Sequence, residues 1–203
     1  MDKKQTMSLL YEGLMAYEKI VEKKIHYVYL KNGSYHELVL DAKRNYFMHL
    51  CGVKYKNPKT DKLFKAGEFY KQLKKRKLSP DGIQKKDDGS TDQKLNVIKN
   101  LNDLTTCNLR VVDESGVFLN LSFDKAIRSR RQIFCLALKG ISDENFVPSS
   151  LLDLRSPKGQ VIKAGYPIHC VYSIDNSSGN MQIMCKTEEF EVYEKEKGYT
   201  YSK

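Results

Sequence analysis

Apolar residues recur at two different periods along the chain, and each change of period marks a new element. Met7, Leu10, Leu14, Tyr17 and Val21 follow the helical repeat and predict an amphipathic helix over 6–23. Two β-type runs, 25–30 and 35–40, then flank Lys31-Asn32-Gly33-Ser34; Asn-Gly in that setting predicts a β-hairpin. Behind it Tyr46, Phe47, Leu50 and Val53 stand three, four and seven apart, so 41–53 reads as a short helix closed by Gly52. Residues 54–62 read as a polar basic loop. A second helix over 63–77 turns Leu63, Ala66, Tyr70 and Leu73 inward, until Ser79-Pro80-Asp81-Gly82 breaks it. Ser90-Thr91-Asp92-Gln93 has capping-box spacing and opens a third helix to about Leu104, with Leu95, Ile98, Leu101 and Leu104 buried.

From Asn108 the period falls to two. Strands are predicted over 109–112 and 117–123, the second with Val117, Leu119, Leu121 and Phe123 on one face. Residues 133–138 are apolar on both faces, which suits a central strand. Residues 145–152 read as a loop leading into one helical turn, and two last strands cover about 166–174 and 181–186. This order predicts an α+β fold, with N-terminal helices and a hairpin packed on one face of a twisted antiparallel sheet. No repeat or long linker divides the chain. It reads as a single domain over 1–203, with a basic helical region at 43–104 and a mixed-charge tail at 188–203 expected to fray.

Charge sharpens this picture. Residues 43–86 hold 14 Lys or Arg against Asp61, Glu68 and Asp81, so this one window accounts for the whole net charge of +10. A basic block in a neutral body is the footprint of a polyanion-binding surface, or else a solubilising lysine face. No apolar run approaches the ~18 residues of a membrane span, and the N-terminus lacks the apolar core of a signal peptide. The five Cys are scattered and odd in number, with no Cys-x-x-Cys, so free thiols in the cytoplasm are expected and a disulfide framework is not. Phosphate-loop, dinucleotide-binding, His-Glu-x-x-His and Gly-x-Ser-x-Gly motifs are all absent, and Cys and His do not cluster as metal ligands. No metal and no cofactor are expected. Acid–base chemistry on a phosphodiester, or binding without chemistry, remains.

Two short segments carry a resemblance. Phe47, His49, Leu50 and Gly52 match a Phe-x-His-Leu-x-Gly helix after a first hairpin, and Phe146, Pro148 and Ser150 match a later Phe-x-Pro-x-Ser segment. Over roughly residues 5–185 the chain resembles a group of phage and mobile-element nucleases, the fourth phage-type subgroup of the barnase, EndoU, colicin and RelE-like nucleases. The resemblance implies a barnase/EndoU/RelE-like fold and metal-independent RNA cleavage. In size and charge alone the chain is also similar to anti-CRISPR proteins that bind guide RNA, which implies a non-catalytic binder of RNA or of a Cas ribonucleoprotein as the alternative.

Metal-free RNA cleavage takes a proton from a 2′-OH and returns one to the leaving oxygen, work that His performs near neutral pH. His49, in the resembling helix, is the candidate acid or base; it reads equally as a half-buried packing residue. Lys43, Arg44 and Lys54 are near it in sequence and are candidates to cradle the phosphate. Ser150 is a candidate phosphate donor or a cap for the turn expected after it. Arg128, Arg130 and Arg131 are expected to reach nucleic acid from the sheet side. Lys71, Lys74, Lys75, Arg76 and Lys77 are expected to hold backbone phosphates of a tRNA, rRNA or guide RNA. Tyr46, Tyr55 and Tyr70 are candidates to stack bases, with Tyr70 on the apolar stripe of its helix. His169 reads as core or sheet edge, and His26 and His36 as opposite faces of their hairpin.

Overall fold

The structure, a computed structural model, describes residues 1–118, 121–155 and 162–202. Helix α1 (Lys3–Tyr17) starts at Asp2, whose side chain accepts the Gln5 N–H at 2.7 Å. It stops well short of residue 23 because the chain turns there, burying Ile20 before strand β1 begins. Strands β1 (Lys23–Lys31) and β2 (Ser34–Ala42) form the expected hairpin, with Asn32 and Gly33 at φ 52° and 79°, the left-handed pair that a two-residue turn requires.

Helix α2 (Arg44–Cys51) follows and ends on Gly52 at φ 69°, as its sequence predicts. Strand β3 (Val53–Tyr55) leaves it and pairs with β4 (Ile83–Lys85). Between them α3 (Ala66–Lys74) packs on α2, the Tyr70 and Phe47 rings meeting edge to face at 5.8 Å. Helix α4 (Ser90–Val97) is capped by the backbone of Gly89 rather than by a capping box; the Ser90 N–H goes to the Asp88 carboxylate instead. Past Val97 the predicted long helix tightens to a 3₁₀ segment, Ile98–Thr105, which still buries Ile98, Leu101 and Leu104.

The remaining strands are β5 (Leu109–Val112), β6 (Gly116–Phe118), β7 (Leu121–Phe123), β8 (Lys125–Ser129), β9 (Phe134–Gly140), β10 (Asn145–Asp153), β11 (Tyr166–Asp175) and β12 (Met181–Lys186). The main sheet runs β1-β2-β10-β9-β8-β5-β11, and β11 pairs back onto β1, with Tyr27 opposite Val171. The expected sheet is therefore present, mostly antiparallel, and it closes into a barrel. Closure needs both edges of β11: β1 takes one, while β5 and β12 divide the other between residues 166–167 and 170–174. Closing a sheet removes the exposed edges that an open one would present.

Three further expectations are corrected. The predicted strand 117–123 folds back on itself as β6–β7, with Phe118 opposite Leu121; Leu119 lies outside the described residues. Residues 145–153 form β10 in place of the expected loop, since β9 pairs with it along 146–153 and β2 with its first two residues. Nor do the helices keep to one face. The tail forms α5 (Glu188–Lys197) on the face opposite α1–α4, with Phe190 buried against Val28, Cys170 and Tyr172. Beyond it the Tyr199 hydroxyl donates to Glu37 at 3.0 Å and the Ser202 N–H to the Tyr172 hydroxyl at 3.0 Å. Among the described residues no helix is long and apolar enough to cross a membrane.

The five cysteines are not all free. Cys107, just ahead of β5, is bonded to Cys185 in β12, while Cys51, Cys135 and Cys170 are buried thiols. The pair is 78 residues apart, and only the docking of β12 beside β11 brings it together. Titration of the denatured, unreduced chain is expected to find three thiols, and five after reduction. Five before reduction would contradict the bond.

Candidate functional site

Helix α2 places its residues in two environments. Phe47, Leu50 and Cys51 are fully buried, Phe47 against Tyr17 and Tyr70, whereas His49 on the last turn is exposed. The helix lies across β10, which carries a bulge: Pro148 is opposite Leu138 and Ser150 opposite Ala137, leaving Ser149 unmatched. Proline has no N–H to give a ladder, and a bulge is where a strand accommodates it. The Ser149 backbone freed by the bulge stands near the His49 imidazole and raises its pKa. The two sequence segments that carried the resemblance therefore meet in space. Ser150 itself is 5% exposed and points into the fold, so its hydroxyl is neither at the surface beside His49 nor a helix cap.

Helix α4 reaches the same end of α2. The Thr91 hydroxyl donates to the Gly52 carbonyl at 2.5 Å, and the Lys94 ammonium to the His49 carbonyl at 3.2 Å. Gly52 is needed twice over. Its φ of 69° disfavours a side chain, and a Cβ there would lie 2.9 Å from Cδ of Lys94. Lys86 approaches through its backbone N–H, which donates to Thr91 Oγ1 at 3.0 Å. Lys54, Lys86 and Asp88 line an adjoining groove of about 620 Å³.

This crowding of cations shapes the titration of the site. Burial and the Lys94 charge lower the His49 pKa below its ordinary value, while the Ser149 backbone opposes them. The ring is thus neutral at pH 7. Burial, helped by Lys86, pushes the Lys94 ammonium down to about 8. Hydrogen bonds from Ser90 hold the Asp88 carboxyl below its usual range. Among the described residues no three His, Cys, Asp or Glu side chains converge as a metal would require; the charged groups that gather at His49 are mainly cations.

Other predicted residues stand elsewhere. Arg44 lies about 140° around α2 from His49 at 100° per residue, and its Nε pairs with Glu22 at 3.3 Å. Lys43 pairs with Asp41 at 3.1 Å. Lys71, Lys74, Lys75, Arg76 and Lys77 are all exposed on and after α3, with Lys74 paired to Glu18 and the Arg76 guanidinium 4.9 Å from the Tyr11 ring. Arg128 is 3% exposed and spends its guanidinium on the carbonyls of Ile162 and Lys163, so it fastens a loop and cannot meet nucleic acid from there. Arg130 and Arg131 line a separate hollow with Asp103 and Asn108.

Tyr55 and Tyr70 are core residues, each 2% exposed, which removes them as base-stacking platforms; Tyr46 is half-buried. His169 is buried on β11, its Nδ1 3.0 Å from Thr187 Oγ1 and 3.1 Å from Glu189. His26 and His36 do take opposite faces of the hairpin, His26 stacked on Tyr172 and His36 on Tyr29.

Sequence reasoning missed Lys94 and Lys86. Lys94 did carry a signal: it falls three residues after Thr91 and four before Ile98, on the buried stripe of its own helix. A lysine on an apolar stripe is a reason to look. Lys86, in a charged loop, had none.

A family model described as phage-Barnase-EndoU-ColicinE5/D-RelE like nuclease4 matches residues 9–197. No curated protein and no solved structure matches the chain.

Proposed function

Because the chain belongs to the phage-Barnase-EndoU-ColicinE5/D-RelE like nuclease 4 family, we propose that it cleaves RNA at His49 without a metal ion. The observation that carries the reading is the exposed His49 ring at the end of α2, beside the β10 bulge where the two family-like segments meet. An imidazole kept neutral at pH 7 is ready to take the proton of a 2′-OH. The freed 2′-oxygen attacks the adjacent phosphorus to form the cyclic phosphate, and the bond to the 5′-oxygen breaks as that oxygen takes a proton from water and leaves as a hydroxyl. Lys54 and Lys86, on the neighbouring groove, supply positive charge where the phosphorane gathers negative charge. The same chemistry predicts a preference for RNA, since DNA lacks the 2′-OH that serves as nucleophile.

Labelled RNA incubated with the protein in EDTA tests this. The expected products end in a cyclic phosphate or 3′-phosphate, and RNA methylated at the 2′-oxygen stays whole. No cleavage across tRNA, rRNA and guide RNA would overturn the enzymatic reading and leave a non-catalytic RNA binder.

The exposed cations of α3, which packs on α2, suit backbone phosphates. Lys71, Lys75 and Lys77 are the ones to vary, because Lys74 and Arg76 already engage Glu18 and Tyr11. Reversing those three to Glu is expected to weaken RNA binding and flatten the slope of log affinity against log salt by about 2, at ~0.7 for each phosphate no longer neutralised. An unchanged slope would place the RNA on another surface.

A further inference from the structure

Lys94 is held in a condition that the fold alone does not explain. It is 7% exposed, and its ammonium has one hydrogen bond, to the His49 carbonyl. It forms no ion pair among the described residues. Of the charged groups around it, Lys86 disfavours its charge and Asp88 favours it, Lys86 having the larger effect. Removing an ammonium from water is unfavourable unless a counter-charge compensates it.

Capping α2 is the structural reason one would first give. A cation near C-terminal carbonyls does stabilise a helix. Here, however, the His49 carbonyl already accepts the Gly52 N–H at 3.0 Å, and the Gly52 carbonyl accepts the Thr91 hydroxyl. The His49 carbonyl therefore has a partner without Lys94. An ammonium carries three donors, and two of those on Lys94 are uncommitted.

We infer that Lys94, with Lys86 and the edge of the His49 ring, forms a phosphate subsite, and that the phosphate of the cleaved RNA is the missing counter-charge of Lys94. This rests on the reading of His49 as the cleavage site and adds the group that holds the reacting phosphate. The buried ammonium is placed before substrate arrives, so its charge needs no reorganisation when the phosphorane forms. Gly52 follows from the same arrangement, because its missing Cβ makes room for the Lys94 stem.

Sulfate is a suitable probe, since it imitates phosphate and does not itself titrate near neutrality. With the Lys94 pKa pushed down to about 8, an anion that pairs with it draws a proton from solution at pH 8; at pH 6 Lys94 is already charged, and any uptake there comes from His49, whose pKa lies below its ordinary value. Calorimetry of sulfate binding in two buffers of different ionisation enthalpy reads that uptake directly. In the wild-type protein, uptake is expected at pH 8, and in His49→Ala its absence is expected at pH 6. In Lys94→Met the uptake is expected to vanish, with a melting temperature equal to or above wild type and RNA cleavage at least ~100-fold slower. His49→Ala is expected to keep the uptake at pH 8, because its imidazole titrates well below that pH.

Absence of sulfate binding, binding without proton uptake, or undiminished uptake in Lys94→Met would each overturn the inference. So would full cleavage activity in Lys94→Met, which would leave His49 as the cleavage site untouched. If the wild type takes up a proton with sulfate but cuts no RNA, the anion subsite stands and the nuclease reading falls. The wild-type measurement decides the matter even if Lys94→Met does not fold.

Discussion

His49→Ala should slow RNA cleavage by about 10²–10⁴-fold, the usual worth of one positioned proton-transfer group. The fold should survive, because His49 is exposed on the last turn of α2. Circular dichroism and a thermal melt of the variant check this alongside the rate. The pH dependence is a second signature. A base works only when unprotonated, and here burial and the nearby Lys94 and Lys86 charges lower the imidazole pKa below its ordinary value. Cleavage should therefore hold through neutral pH and fall only as the pH drops through that lowered pKa. A folded His49→Ala variant that cuts at the wild-type rate would exclude this histidine, and an acid limb above pH 7 would contradict its environment.

Phe47→Ala should have a large effect of the opposite kind. Phe47 is fully buried, 5.2 Å from the Tyr17 ring and 5.8 Å from that of Tyr70. Truncating such a side chain removes its transfer energy and leaves a cavity, a loss of about 3–5 kcal/mol. On a native stability of about 5–15 kcal/mol that is a severe change. The denaturant midpoint should fall accordingly, while any molecules that remain folded keep His49 and its rate. A stability loss below about 1 kcal/mol would show that the space refills and that α2 is not anchored through Phe47. The pair of variants separates the two jobs of one short segment: its phenylalanine attaches the helix, and its histidine, two residues on, faces the solvent.

Much of the chain was legible wherever a few adjacent residues decide the outcome. Asn32-Gly33 turns the hairpin because both accept positive φ, and Gly52 ends α2 for the same reason. Strand β9 announces itself as central because it is apolar on both faces. The residues of the first family-like segment could be sorted by helical spacing alone, with Phe47 and Leu50 inside.

Other elements read wrongly because their local chemistry points away from their final state. Phe146-Val147-Pro148-Ser149-Ser150 looks like a loop, since proline lacks a donor and serine favours turns. It is a strand because β2 and β9 hold it on both sides, and the bulge absorbs the proline. The tail looks like a frayed mixed-charge end. Phe190, Tyr199 and Tyr201 are sparse enough to escape notice until Tyr172 and the half-buried Glu37 give them a surface to cover.

The site divides in the same way. Sequence by itself determined that a histidine stands near the end of a short helix in a basic region, because helical spacing and charge are properties of neighbouring residues. Only the tertiary structure decided which cations stand with it. Arg44 and Lys43, close in sequence, are drawn to carboxylates at the far end of α2, and Arg128 is consumed by a loop. Lys94, 45 residues from His49, comes to its carbonyl because α4 packs across the end of α2. The bulge that meets the imidazole lies about 100 residues further along the chain. Proximity of this kind arises from which buried faces fit together when the sheet closes, and no local preference encodes it.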